Sequence, residues 1–406
     1  MALKHVLAGL IPRKQALRVK YIVQAFYRLR TGRKKVNSIK KLYTISKSNS
    51  HVFFGYYDIS PFNRKTDEII YNNLVEAENK LHLMKSRFPN AEEVEIGETR
   101  AWNWQQGCRL RWMPNNDREV AFNDFDGQQY FARILNVDTK EERRIVAPLY
   151  DISPDGKFGL TIDFERLGVK RPGYGYVCRP YVESEHDLAK DSIRLVNLAT
   201  NETETLITYQ DIASIPGCET SDFKLNYLNH LCFSPSGRKF LFFWLSTVTH
   251  RHEAYLLVHN LDTHETRLLE GHEKVSHYVW LDDDNIICTS ATKDDRIQYY
   301  KYTVSTKKRI IVNPNILNSD GHPSILDQNT ILTDTYPDLM GFQHLYLAGI
   351  NTPSKETLLD VYSHCCVEGE RRTDLHPRLN SVKNTICVDV NRTKYRELVL
   401  LLNINK

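Results

Sequence analysis

The sequence predicts an all-β chain folded as a seven-bladed β-propeller behind a short basic helical arm. Three observations predict it. A motif built around a Ser-Pro dipeptide or its equivalent recurs seven times and sets Tyr56, Arg109, Leu149, His230, His277, His322 and His376 in one column. Its steps run from 40 to 54 residues, apart from one of 81. Repeats of that length with about four short strands each are the signature of a propeller. Each motif is followed by a short apolar strand, and the last unit is one strand short of the others. Finally, a strand-like segment just before the first unit matches that deficit.

Residues 1–37 form the arm and 38–406 the propeller. Within the arm, Val19, Ile22, Val23, Phe26 and Leu29 recur at helical spacing, interleaved with Arg18, Lys20, Arg28 and Arg30. Lys41-Leu-Tyr-Thr-Ile-Ser46 follows, and is expected to close the ring by completing blade seven, which removes an exposed sheet edge. The first three motifs are Tyr56-Tyr-Asp-Ile-Ser-Pro61, Arg109-Leu-Arg-Trp-Met-Pro114 and Leu149-Tyr-Asp-Ile-Ser-Pro154. The four with histidine begin His230-Leu-Cys-Phe, His277-Tyr-Val-Trp, His322-Pro-Ser-Ile and His376-Pro-Arg-Leu. Strands follow at Phe240 to Trp244, Asn285 to Ser290, Thr330 to Asp334 and Thr385 to Val390. Alternating residues about a polar turn mark hairpins at Tyr130 to Val146, Ser192 to Ile207, Ala254 to Leu269 and His344 to Leu359. The step of 81 residues holds an insertion, roughly Glu165 to Asp191, with Arg166-Leu-Gly-Val-Lys-Arg-Pro-Gly-Tyr-Gly-Tyr176. Insertions of this kind sit on a propeller face as lids or binding loops.

Charge is divided unevenly. Residues 1–57 carry thirteen Lys/Arg and no acid, leaving 41 basic against 50 acidic side chains on the remainder. A basic amphipathic helix suits a membrane surface or a partner, so one reading of residues 1–37 is peripheral membrane contact. Packing on the propeller flank and a mitochondrial presequence are the other readings. The acidic body argues against nucleic acid as a partner. The run from His5 to Ile11 is too short for a secretory signal, and no stretch has the ~18 apolar residues of a membrane span. Of the eight cysteines, Cys232, Cys288 and Cys387 fall in strands, and adjacent Cys365-Cys366 is a poor zinc pattern. Reduced thiols and a cytoplasmic location, peripheral at the inner membrane, are therefore expected.

Four histidines at one phase of a ring must converge. Neutral imidazoles at the mouth could hold a divalent transition metal, with Asp320, Asp334, Asp338 or Gln343 as a further ligand. A histidine at a blade start also serves as a strut to neighbouring backbone, but four in one column favour a site. Arg109, Arg166, Arg171 and Arg378 would add forks for planar carboxylates, and Tyr56, Tyr57, Tyr174 and Tyr176 would add ring faces and phenolic protons. Each arginine taken singly reads as a surface charge.

The turns Ser153-Pro-Asp-Gly156 and Ser234-Pro-Ser-Gly237 resemble those of TolB-type propellers and, more narrowly, of oligogalacturonate lyases. His51-Val-Phe-Phe-Gly-Tyr-Tyr-Asp58 and Arg171-Pro-Gly-Tyr-Gly-Tyr176 are similar to segments of propeller ulvan lyases and related proteins of bacterial glycan gene clusters. The resemblance spans residues about 50 to 400. It implies a metal, Mn or Ca, held at His277, His322 and His376, and a partner that is an acidic oligosaccharide or polysaccharide. It also implies β-elimination from a 4-linked uronate, with an arginine (Arg171 or Arg109) or the metal neutralising the carboxylate. His230 would then remove the C5 proton, Tyr174 would protonate the leaving oxygen, and Tyr56, Tyr57, Arg166, Tyr176 and Arg378 would bind substrate. A non-catalytic propeller that binds glycan or protein in polysaccharide biosynthesis is the alternative. Paired carboxylates, which a glycoside hydrolase needs, are not prominent at the motifs.

Overall fold

The computed structural model describes residues 22–24, 26, 41–88, 92–248, 251–271, 275–291, 296–363, 369–380, 382 and 384–402. Seven four-stranded antiparallel sheets form the seven-bladed propeller that the repeat predicts. Six blades take their strands in chain order. Blade one is His51–Phe53, Glu68–Val75, Lys80–Arg87 and Glu92–Thr99. Blade seven joins both chain ends: Arg378–Asn380, Thr385–Val390 and Glu397–Leu402, then Lys41–Ile45 on its outer edge. That last pairing is antiparallel, from Lys41 opposite Leu402 to Ile45 opposite Leu398, so the ring closes as expected.

Burial explains which strand is which. In blade four, the second strand, Lys239–Val248, contains Leu241, Phe242, Phe243 and Trp244, each at most 1% exposed. A central strand packed by neighbouring blades on both faces reads as a continuous apolar run rather than an alternation. Outer strands are the reverse: Lys308–Val312 has four exposed residues and one buried, because blades diverge toward the rim of the ring. The hairpins between third and fourth strands share one turn. Asn136, Asn197 and Asn260 each accept two backbone N–H bonds through Oδ1, and Lys140, Asn201 and His264 follow in the left-handed region. Side-chain capping of this kind is what makes asparagine a turn residue.

The insertion forms a short helix, Phe164–Lys170, whose first N–H groups are capped by Asp163 Oδ1. The chain then doubles back through Arg171–Tyr176. This return needs its glycines: a Cβ on Gly175 would lie 2.1 Å from Gly168 N and 2.3 Å from Phe164 O. Of the arm, only Ile22–Gln24 and Phe26 are described, and they are helical; the rest of residues 1–37 lies outside the described residues, as do Cys365 and Cys366. Gln24 is buried, while Ile22 is 65% exposed. No helix among the described residues is long and apolar enough to cross a membrane.

Candidate functional site

The motif column is placed by backbone ties between blades. Asp334, at the end of the second strand of blade six, accepts from His322 N at 2.7 Å and from His376 N of blade seven at 3.1 Å. Asp389 accepts in the same manner from Phe54 N and Gly55 N of blade one. Arg109, His230 and His376 hold φ of 59°, 55° and 44°. Left-handed backbone at a non-glycine costs about 1–3 kcal/mol and persists where surroundings over-determine it. Two of these three, His230 and His376, thereby reach the same tyrosine ring from different blades.

There the rings meet. His277 and His322 lie 4.2 Å apart by ring centroids, His322 and His376 4.4 Å, and His230 and His277 6.2 Å. Tyr56 stands among them, 4.7 Å from His376 and 4.9 Å from His230, with its hydroxyl 3.2 Å from His230 Nε2. Three of the imidazoles are oriented through Nδ1. His277 donates to Asp320 at 3.0 Å, His322 to Asp334 at 2.9 Å and His376 to the Gly55 carbonyl at 2.9 Å. Each therefore presents Nε2. On His322 and His376 that nitrogen is buried without a partner.

A buried lone pair with no donor is the condition a metal relieves, and histidine ligands ordinarily carry a carboxylate or carbonyl on the other nitrogen. The residues thus fit a divalent ion. His322, His376 and Asp374 bring their ligand atoms within 4.8 Å of one another, and all three are buried. Asp320 and Asp334, expected as ligands, instead orient histidines from behind. Asp338 lies on a loop against His344 and caps the N–H groups of Met340 and Phe342. Gln343 is 1% exposed with both amide atoms unpartnered. His277 is not in the three-ligand cluster.

Beside the cluster is a cavity of about 260 Å³ lined by Arg171, Tyr174, His230, His277, Asp320 and Tyr336. Its electrostatics divide the histidines. Burial, then the neighbouring His277 and Arg171, hold His230 well below the ordinary imidazole range, so it is neutral. Burial and His322 also lower His277, against the pull of Asp320. Asp320 is ionised: despite burial, His277 and the hydroxyls of Ser276 and Thr289 hold it at about 2. Burial is the largest influence on His322 and opposes its charged form, but Asp334, Asp374 and Asp320 together raise that histidine. Tyr174 Oη accepts from Arg372 Nη2 at 2.9 Å, and Arg372 Nε donates to Asp374 at 2.9 Å. The guanidinium of Arg171 lies over the Tyr174 ring at 5.3 Å.

Several expected binding residues are engaged elsewhere. Arg109 forks onto Asp58 at 2.8 and 3.1 Å and donates twice to the Tyr150 carbonyl. Arg378 pairs with Asp389 at 2.8 Å and donates to the Gly55 carbonyl. Arg166 donates to the Asn226 and Phe223 carbonyls and to Tyr181, pinning the insertion to blade four. Tyr57 exchanges bonds with the backbone of Tyr278, and Tyr176 stacks on Phe164 while accepting from Asn123. All five are buried and bonded into the frame. Arg372 and Asp374, by contrast, were not singled out from the sequence. Their signal was proximity: both precede His376 by four residues or fewer.

No family model matches the chain, and no curated protein sequence matches it. Solved structures do. An oligogalacturonate lyase in complex with manganese aligns at TM-score 0.66 and 15% identity, covering 91% of this chain and 95% of that one. An oligogalacturonate lyase from Vibrio parahaemolyticus aligns at TM-score 0.66 and 13% identity over the same shares. The tricorn protease aligns at 0.53 and 10% identity, covering 85% of this chain and 33% of that one. At such identities the likeness is one of fold.

Proposed function

We propose that the protein is a lyase that cleaves uronate-containing glycans by β-elimination. The observation that carries the reading is the His322–Asp374–His376 donor cluster, with its unpartnered Nε2 atoms, set against a cavity lined by a carboxylate-backed histidine, Tyr174 and Arg171. The likeness to oligogalacturonate lyases over 91% of the chain supports it, and the manganese in one of them agrees with the donor set. His322, Asp374 and His376 would hold the divalent ion, which when bound supplies a Lewis acid for the uronate carboxylate.

The remaining steps fall to this chain's side chains. Arg171, with Arg372 behind Tyr174, supplies positive charge for the carboxylate and stabilises the enolate that forms as the C5 proton leaves. His277 is the base that the geometry favours over His230. Its Nδ1–H is held by Asp320, so Nε2 is directed to the cavity as an acceptor, and the carboxylate stabilises the imidazolium. His230 Nε2 is engaged with Tyr56. His277 takes the C5 proton, the C4–C5 double bond forms, and the C4–O bond breaks. Because Tyr174 Oη accepts from Arg372, its own proton remains to be given to the departing oxygen. We extend the reading to a cytoplasmic location with the basic arm at the inner membrane surface, in keeping with the thirteen cationic side chains before Asp58.

The test is the ultraviolet absorbance of unsaturated uronate during incubation with galacturonate oligosaccharides and other uronate glycans, with Mn²⁺ added or chelated. Product that depends on the ion and is lost in His277→Ala and His376→Ala supports the reading. No product from any uronate glycan, with a folded protein and bound metal, overturns it.

A further inference from the structure

A second and larger recess, of about 450 Å³, lies on the other side of the strap that carries Arg171 and Tyr174. The strap is shared. Arg171 and Tyr174 line the cavity beside the histidines, whereas Pro172, Gly173 and Gly175 line this groove. The segment before His376 divides similarly: Glu370 and Arg371 line the groove, and Arg372 reaches Tyr174. Gln105 ties the two walls together, its N–H bonded to the Gly173 carbonyl and its amide to the carbonyls of Glu370 and Arg372. The groove is therefore one strap away from the cavity, and hydrogen bonds join the segments that line both. Nothing in the elimination chemistry uses it.

Its wall has the features of a carbohydrate site. Trp102 is half-buried, set edge-on to Trp104 at 5.3 Å and anchored through its indole N–H to the Asn79 carbonyl, so part of its ring remains open. An anchored aromatic face is what a pyranose ring packs against, and the anchoring lowers the ordering cost of binding. Asn103, next to it, is 5% exposed. Its Oδ1 accepts from the N–H groups of Gln105 and Gln106, while Nδ2 is buried with no partner. A buried amide donor beside a recess lacks an acceptor that a hydroxyl or carboxylate oxygen would supply. Arg100 is exposed on the rim and makes no ion pair among the described residues. Arg371, by contrast, is paired with Glu76 at 3.0 Å.

We propose that this groove is a second sugar subsite, which takes a further uronate unit of the glycan chain whose scissile bond lies in the cavity. Trp102 supplies the stacking face, Asn103 the hydroxyl contact and Arg100 the charge that meets a carboxylate. The proposal rests on the acidic-glycan reading above and adds to it that the preferred substrate is longer than a disaccharide.

The experiment is calorimetric titration of the full chain, with Mn²⁺ present and His277→Ala introduced to prevent turnover, using di- and tetragalacturonate as probes. The tetramer is expected to bind about tenfold more tightly than the dimer, equivalent to about 1.4 kcal/mol. Trp102→Ala and the rim variant Arg100→Ala should each erode that gain while the dimer's affinity holds, and unchanged melting curves would show that both fold. Equal affinity for the two lengths, or a gain that survives both variants, overturns the groove and leaves the lyase reading standing. Binding of neither probe overturns the substrate class and the groove with it.

Discussion

Asp320→Asn separates charge from orientation at the proposed base. In the wild type, Asp320 Oδ1 accepts from His277 Nδ1 at 3.0 Å, Thr289 Oγ1 at 2.8 Å and Gly321 N at 3.0 Å; Oδ2 accepts from Ser276 Oγ at 2.7 Å. An asparagine can place its oxygen at Oδ1 and its amide toward Ser276, whose hydroxyl can accept. The imidazole then keeps its tautomer and direction but loses the negative charge beside it. A full charge about 4 Å from an imidazolium is worth about 4 kcal/mol at an effective dielectric of about 20. The retained carbonyl dipole returns part of that, leaving about 2–3 kcal/mol of lost transition-state stabilisation, or roughly 30- to 150-fold in rate. Because Asp320 raises His277, the acid limb of the rate profile should also move to lower pH. Initial rates of unsaturated uronate formation across pH, with melting curves alongside, read both effects. A folded variant within about threefold of wild type, with an unmoved acid limb, would refute His277 as the base.

Arg109→Ala should destabilise the fold by about 3–5 kcal/mol, since it strands Asp58 and the Tyr150 carbonyl in a nearly closed site; denaturant unfolding would show it. Asp191→Asn should stabilise the protein in mild alkali. Burial and the nearby Asp163 raise the Asp191 carboxyl to about 6 from 3.8, so its contribution to stability is favourable below about pH 4 and is lost as pH rises through 6. The shift corresponds to on the order of 2–3 kcal/mol, so the variant's gain in Tm should be present at pH 8 and vanish near pH 4. Gly175→Ala should force the strap off the helix, given the 2.1 Å approach to Gly168 N. A cost of about 1–3 kcal/mol and a fall in activity greater than the fall in folded fraction are expected, by parallel melting and rate measurements.

The blade count and ring closure were legible because both rest on periodicity. Lys41–Ile45 could be assigned to blade seven from a missing strand alone, and the structure pairs it there. The histidine column was legible for the same reason: equal phase in a ring implies a shared direction. The arginines were not. Arg109, Arg166 and Arg378 have the fork that carboxylates bind, but their partners lie at Asp58, at the Asn226 carbonyl and at Asp389. Local sequence contains nothing that distinguishes a guanidinium spent on such a contact from one held for a ligand. Asp374 escaped notice for a related reason. It lies outside the repeat phase, and only the turn into blade seven brings its carboxylate beside His322, which belongs to the preceding blade.

The shared seventh blade has a consequence for how the chain is made and how it yields to force. Residues 398–402, the partners of the first strand, are synthesised after every other blade, so until then the blades on either side of the gap each leave one packing face uncovered. Folding should therefore end with a slow, long-range closing event, as topologies with distant pairings do. The antiparallel register places Lys41 beside Leu402, which brings the start of the latch and its late partner to the same corner of the molecule. Tension applied between the arm and residue 402 would load the five residue pairs one at a time, opening them like a zipper from Lys41 inward. A ring latched in this way would part at lower force along this pairing than if its five pairs were loaded together.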